Sequence, residues 1–136
     1  LKIMLMGASK IGIHLARILS DSKCSVRLVE LDKERCYDVA ADLQDNVNVI
    51  WGDGTEKNLL FEEGIHQADV FVSLTGVDEE NLLMAVFALS HDVSKVIAKV
   101  DRNDFDRLSD TLGVTELVSP MIVAAETVRD YILDQE

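Results

Sequence analysis

Two periods of hydrophobic and polar positions alternate along the chain. Short apolar runs occupy residues 2–6, 25–30, 48–51, 68–74, 95–100 and 115–118, and some are unbroken, as at Val70, Phe71 and Val72. Continuous runs of this length suit strands covered on both faces of a parallel sheet. Amphipathic stretches of helical period separate them, at 10–20, 32–43, 56–63, 79–90, 103–112 and 120–134. Their punctuation agrees with that reading. Thr55 stands where it caps the third helix, and Ser119 precedes Pro120, a cap followed by the favoured first-turn proline. Gly64 and Gly113 fall just beyond two helix ends, where a left-handed residue stops a helix.

Strand and helix alternate throughout without a linker or low-complexity segment. The pattern predicts one α/β domain over 1–136: a doubly wound, six-stranded parallel sheet in the order 3-2-1-4-5-6, with helices on both faces. The chain opens at Leu1 inside an apolar strand-like run and closes in a helix-like run, which leads us to expect a piece of a longer protein.

The first strand leads into Gly7-Ala8-Ser9-Lys10-Ile11-Gly12, and a helix with Ile11, Leu15, Ile18 and Leu19 on one face follows. This is a Gly-x-Gly-x-x-Gly turn with serine at the second glycine. In such a Rossmann-like turn the first glycine makes the bend, the second lets a pyrophosphate approach, and the third lets helix and sheet lie close. Ser9 narrows the approach but keeps an N–H and adds a hydroxyl. Lys10 stands at the helix start, within reach of a phosphate or simply solvated.

Glu30 ends the second strand 18 residues after Gly12, followed by Leu31. A carboxylate there accepts hydrogen bonds from ribose hydroxyls and repels a 2′-phosphate, which favours NAD(H) or an adenine mononucleotide over NADP. Asp32 is an alternative ribose ligand, or the cap of the next helix. After the third strand, Gly52-Asp53-Gly54-Thr55 forms a turn at the carboxyl edge, where Asp53 either meets an adenine ring or stabilises its own loop. The fourth strand runs out into Thr75 and Gly76, small residues facing the same crevice.

Composition narrows the picture. A net charge of −12 argues against a nucleic-acid partner, although helix-start N–H groups still supply local positive potential for a phosphate. No apolar run reaches the ~20 residues that span a bilayer, so direct membrane insertion is not expected. Cys24 and Cys36 form no Cys-x-x-Cys pair and have no histidine at ligand spacing, which suits free thiols and no metal site. His14, His66 and His91 belong to no recognisable triad, and the sheet uses nearly the whole chain, leaving no substrate domain. A non-enzymatic role is the expectation.

These residues together resemble the nucleotide-binding lobe of Trk-type potassium uptake regulators and of the RCK or KTN domains of potassium channels. The likeness is carried by residues 7–12 with a basic residue at Lys10, and by Val29-Glu30 with Asp32, Glu34 and Arg35. It continues through Gly52-Asp53-Gly54-Thr55, Ala68-Asp69 leading to Leu74-Thr75, Asp78-Glu79-Glu80-Asn81, and Ser119-Pro120. The resemblance implies a cytoplasmic regulator, peripheral to the inner face of the membrane, that binds NAD(H), ATP or ADP, with AMP as a further candidate. Its implied partner is an integral-membrane potassium transporter or channel subunit. It also implies a homo-oligomer, dimer or ring, in which the last helix crosses to a partner lobe through Met121, Ala125, Val128 and Ile132. Two other classes stand beside this one: an NAD-dependent oxidoreductase or S-adenosylmethionine-dependent methyltransferase, and a structural lobe that has lost its ligand. Ser9, replacing the second glycine of the family, is what favours the last.

Overall fold

The computed structural model describes residues 1–101 and 112–134. Its elements are β1 (Lys2–Met6), α1 (Lys10–Asp21), β2 (Ser25–Glu30), α2 (Lys33–Asp42), β3 (Val47–Trp51), α3 (Lys57–Glu62), β4 (Val70–Ser73), α4 (Asp78–Ser90), β5 (Lys95–Lys99), β6 (Glu116–Val118) and α5 (Pro120–Leu133). A short 3-10 turn, Ile65–Gln67, joins α3 to β4. The helix expected at 103–112 falls, save its last residue, outside the described residues. All strand pairs are parallel, in the order β3-β2-β1-β4-β5-β6, as the sequence pattern predicted.

The two-residue alternation of β1 explains the layering. Ile3 and Leu5 enter one core with Val26, Leu28, Ala16 and Val39, beneath α1 and α2. Met4 and Met6 enter the other with Phe71, Leu60, Met84 and Ala85, beneath α3 and α4. Both faces of β1 are thus buried, as a central parallel strand requires. The chain leaves β1 for β2 on one side and lies beside β4 on the other, so the strand order reverses at β1. Crevices of open α/β sheets form at this switch point, outside the carboxyl ends of the strands.

Several boundaries differ from the sequence reading for local reasons. The fourth strand starts at Val70 rather than 68 because the 3-10 turn absorbs the preceding residues, with Gly64 left-handed at φ 87° before it. Thr55 does not cap α3: Glu56 occupies that position, without a side-chain bond to the helix. Ser119 stands at the cap position of α5, but its side chain makes no capping bond and Pro120 alone marks the start. From Met121 to Asp134 every residue is exposed. The stripe predicted at Met121, Ala125, Val128 and Ile132 is therefore exposed rather than buried against the described residues.

Candidate functional site

The glycine turn is built by backbone contact. Gly7 adopts φ +107°, and a Cβ there would stand 3.0 Å from the Leu74 backbone carbon. A Cβ on Gly12 would run into the Gly7 carbonyl oxygen. These two glycines thus let the turn fold back while α1 lies against the sheet. Ser9, in contrast, sits at φ −69°, ψ 171°, an extended conformation that needs no glycine. Its Oγ accepts the Gly12 N–H at 3.1 Å and caps α1. Accepting that bond leaves the hydroxyl proton to donate toward the crevice. The Lys10 and Ile11 N–H groups, in the first helical turn, have no intrahelical acceptor.

Glu30 is held at both ends of its carboxylate. The Ala8 N–H donates to Oε1 at 2.9 Å and the Asp32 N–H donates to Oε2 at 2.7 Å. Each oxygen keeps a further lone-pair direction for an incoming donor. Asp32 is the cap of α2: its Oδ1 accepts from the N–H of Glu34 (3.0 Å) and of Arg35 (3.2 Å). Of the two roles left open for Asp32, the structure shows the cap.

Past β3, Asp53 Oδ1 accepts from the Thr55 N–H at 2.9 Å and from the Thr55 hydroxyl at 2.6 Å. The two bonds, the hydroxyl one first, hold the Asp53 carboxyl below its ordinary range. Gly54 packs flat on Met6, and a Cβ there would fall 2.5 Å from Met6 Cγ. On the far side, buried Asn81 pins the end of β4. Its Oδ1 accepts from the Thr75 N–H (3.0 Å) and hydroxyl (2.8 Å), and its Nδ2 donates to the carbonyls of Thr75 (3.0 Å) and Lys99 (2.9 Å).

These loops enclose a crevice of about 350 Å³ at the carboxyl ends of β1, β2 and β4. Of the residues singled out from sequence, Gly7, Ser9, Glu30, Leu31, Asp53, Gly54, Thr55, Thr75 and Gly76 line it. Ala8 is fully buried behind the turn, Gly12 is buried under it, and the side chains of Lys10 and Ile11 are exposed outside the lining. Sequence reasoning missed Arg35 and Glu80 as lining residues. Arg35 Nη1 donates to the Ala8 carbonyl at 2.7 Å, so the guanidinium crosses from α2 to the glycine turn. The signal for it was its place one turn inside a helix that starts beside that loop. Four carboxylates line the crevice, those of Glu30, Asp32, Asp53 and Glu80, and Arg35 is the one cation among the described lining residues.

Leu31 borders the crevice, and Trp51 is tied to it from outside the lining. The indole N–H donates to the Leu31 carbonyl at 3.0 Å, and the Lys33 ammonium stands 4.9 Å from the ring centroid.

A glycine turn, an anchored carboxylate and a switch-point crevice together define a doubly wound α/β domain of the Rossmann-like class. Within that class the chain belongs to the TrkA-N domain family, whose model matches residues 3–120. It is 38% identical over 120 residues to a Trk system potassium uptake protein TrkA homolog of Methanosarcina mazei, covering 88% of this chain and 27% of that protein. It is 34% identical over 123 residues to a TrkA homolog of Methanothermobacter thermautotrophicus, covering 90% and 56%. The chain thus spans about a quarter to a half of the length of these relatives. Among solved structures, the Kef carboxyl-terminal domain of Shewanella denitrificans in AMP-bound form shares the fold at TM-score 0.81 and 18% identity, covering 100% of this chain and 83% of that one. The GsuK channel bound to NAD shares it at TM-score 0.73 and 19% identity, covering 86% and 21%.

Proposed function

We propose that this domain is the nucleotide-sensing lobe of a potassium transport regulator, binding NAD(H) or an adenine nucleotide and passing its binding state to a membrane potassium transporter or channel. The observation that carries the reading is Glu30, whose carboxylate is held by the Ala8 and Asp32 N–H groups at the mouth of the glycine turn. A pre-positioned acceptor there suits a ribose hydroxyl pair. In this reading the N–H groups of Lys10 and Ile11 and the Ser9 hydroxyl serve the phosphates, with Gly7 and Gly12 giving the close approach. Leu31, Asp53, Gly54 and Thr55 flank the base, and Thr75 and Gly76 close the crevice. The solved neighbours with NAD and with AMP support an adenine nucleotide as the ligand class.

Charge ranks the candidates. Four carboxylates against one guanidinium favour ligands with few phosphate charges, so NAD(H) and AMP stand ahead of ADP and ATP. The role of the domain is regulatory rather than catalytic, consistent with relatives named as potassium uptake proteins. Its place is the cytoplasmic face of the membrane, held there by its partner. The exposed α5 serves as the helix that docks on a partner lobe, within a homo-oligomer.

A thermal-shift screen of the purified chain against NAD, NADH, NADP, ATP, ADP, AMP and S-adenosylmethionine tests this directly. Ligand at 100 times its dissociation constant adds about 2.7 kcal/mol of stability. Stabilisation by NAD(H) or an adenine nucleotide is expected. A shift with S-adenosylmethionine alone replaces the proposal with a methyltransferase, and no shift with any of the seven leaves a structural lobe.

A further inference from the structure

We propose that Arg35 reads the ribose 2′-position together with Glu30, so that a single carboxylate separates this crevice from one that accepts a 2′-phosphorylated dinucleotide. The inference rests on the nucleotide reading above. Glu30 and Arg35 approach one residue from two elements. Glu30, at the end of β2, takes the Ala8 N–H on Oε1 (2.9 Å), and Arg35, in the first turn of α2, donates from Nη1 to the Ala8 carbonyl (2.7 Å). Both side chains also line the crevice. The Glu30 carboxylate and the Arg35 guanidinium thus flank Ala8 from its N–H and from its carbonyl, and both border the space that a ligand would enter.

A guanidinium carries five N–H donors in a planar fork that matches a phosphate, and the Ala8 carbonyl engages one nitrogen. Neither of the other nearby cations takes this place. Lys33 lies over the Trp51 ring, and Lys10 is outside the lining. With Glu30 ionised, and with Asp32, Asp53 and Glu80 adding negative potential, a 2′-phosphate is repelled although a cation suited to it is already in position. Removing the Glu30 charge exposes what Arg35 does.

The test is calorimetric titration of the wild-type chain, Glu30→Gln, Glu30→Gln/Arg35→Ala and Glu30→Gln/Arg35→Lys with NAD+ and NADP+. Wild type binds NAD+ in preference to NADP+. Glu30→Gln gains at least about tenfold in NADP+ affinity, the scale of one charge-assisted hydrogen bond to a phosphate. Adding Arg35→Ala abolishes that gain, costing NADP+ far more affinity than NAD+, and Arg35→Lys, which keeps the charge, retains part of it. Arg35→Met, which preserves the apolar stem, takes the place of Arg35→Ala if the latter melts below the parent. An NADP+ gain that survives loss of the guanidinium overturns the proposal, as does the absence of any gain. So does a loss of both dinucleotides alike, which assigns Arg35 to holding Ala8. Wild type that binds neither dinucleotide overturns the dinucleotide reading itself, whereas wild type that binds NAD+ and fails these tests overturns the Arg35 assignment alone.

Discussion

Asp53 holds its loop through Thr55 and gains acidity by doing so. Because its carboxyl lies below the ordinary 3.8 in the folded chain, its bonds add stability that is fully present above that pH and is lost as pH falls through the folded value. Thr55→Val keeps the N–H bond and removes the hydroxyl bond, so it lowers stability by up to about 1 kcal/mol at pH 7. In denaturant titrations the gap between variant and wild type narrows as pH falls below 3.8. Glu30 makes a different demand, since its carboxylate oxygens accept the Ala8 and Asp32 N–H groups and, under the proposed function, a ligand as well. Glu30→Ala weakens NAD binding by more than about 1 kcal/mol in calorimetry, and an unchanged affinity removes Glu30 from the site. The roles of Gly7 and Gly12 were legible in the sequence because a fixed spacing reports a fixed backbone contact. Thr55 was misread as a cap because its partner, Asp53, satisfies it before α3 begins.

At the scale of elements, the buried side chain of Asn81 ties the start of α4 to the ends of β4 and β5. Asn81→Ala strands the Thr75 and Lys99 backbone groups and lowers stability by at least about 2 kcal/mol in urea unfolding. The same change loosens Thr75 at the crevice, so nucleotide affinity falls with it. Strand order and helix order were readable because each run carried its own period. What bridges elements was not: Arg35 reaching Ala8 and Asn81 reaching Lys99 join positions 27 and 18 residues apart. Such pairings depend on how α2 and α4 sit beside the sheet, and no local pattern encodes them. The boundary shift at β4 has a similar origin, since the 3-10 turn before it is set by left-handed Gly64.

For the whole molecule, the contrast lies between a sheet buried on both faces and a terminal helix exposed along its length from Met121 onward. The 14 residues of α5 extend about 21 Å, with Met121, Val128, Tyr131, Ile132 and Leu133 all exposed. A helix this apolar and this bare contributes little to the stability of a single chain and much to association. In analytical ultracentrifugation the chain self-associates with rising concentration, and Val128→Asp/Ile132→Asp leaves it monomeric, with a melting temperature equal to that of the wild type at dilutions where both are monomeric. A double variant that still self-associates, or that melts below the wild type at those dilutions, contradicts the docking role.

Trp51 is the chain's single tryptophan, and its indole is fastened to the carbonyl of Leu31 on the rim of the crevice. The loop that follows Glu30 at the end of β2 is thereby coupled to a fluorophore. A ligand that pulls on that loop changes the polarity and hydrogen bonding around the ring, and the emission of the unlabelled protein follows. Under the proposed function the domain thus carries its own optical gauge of occupancy, and a stopped-flow trace of that emission reads the rate at which the crevice fills and empties.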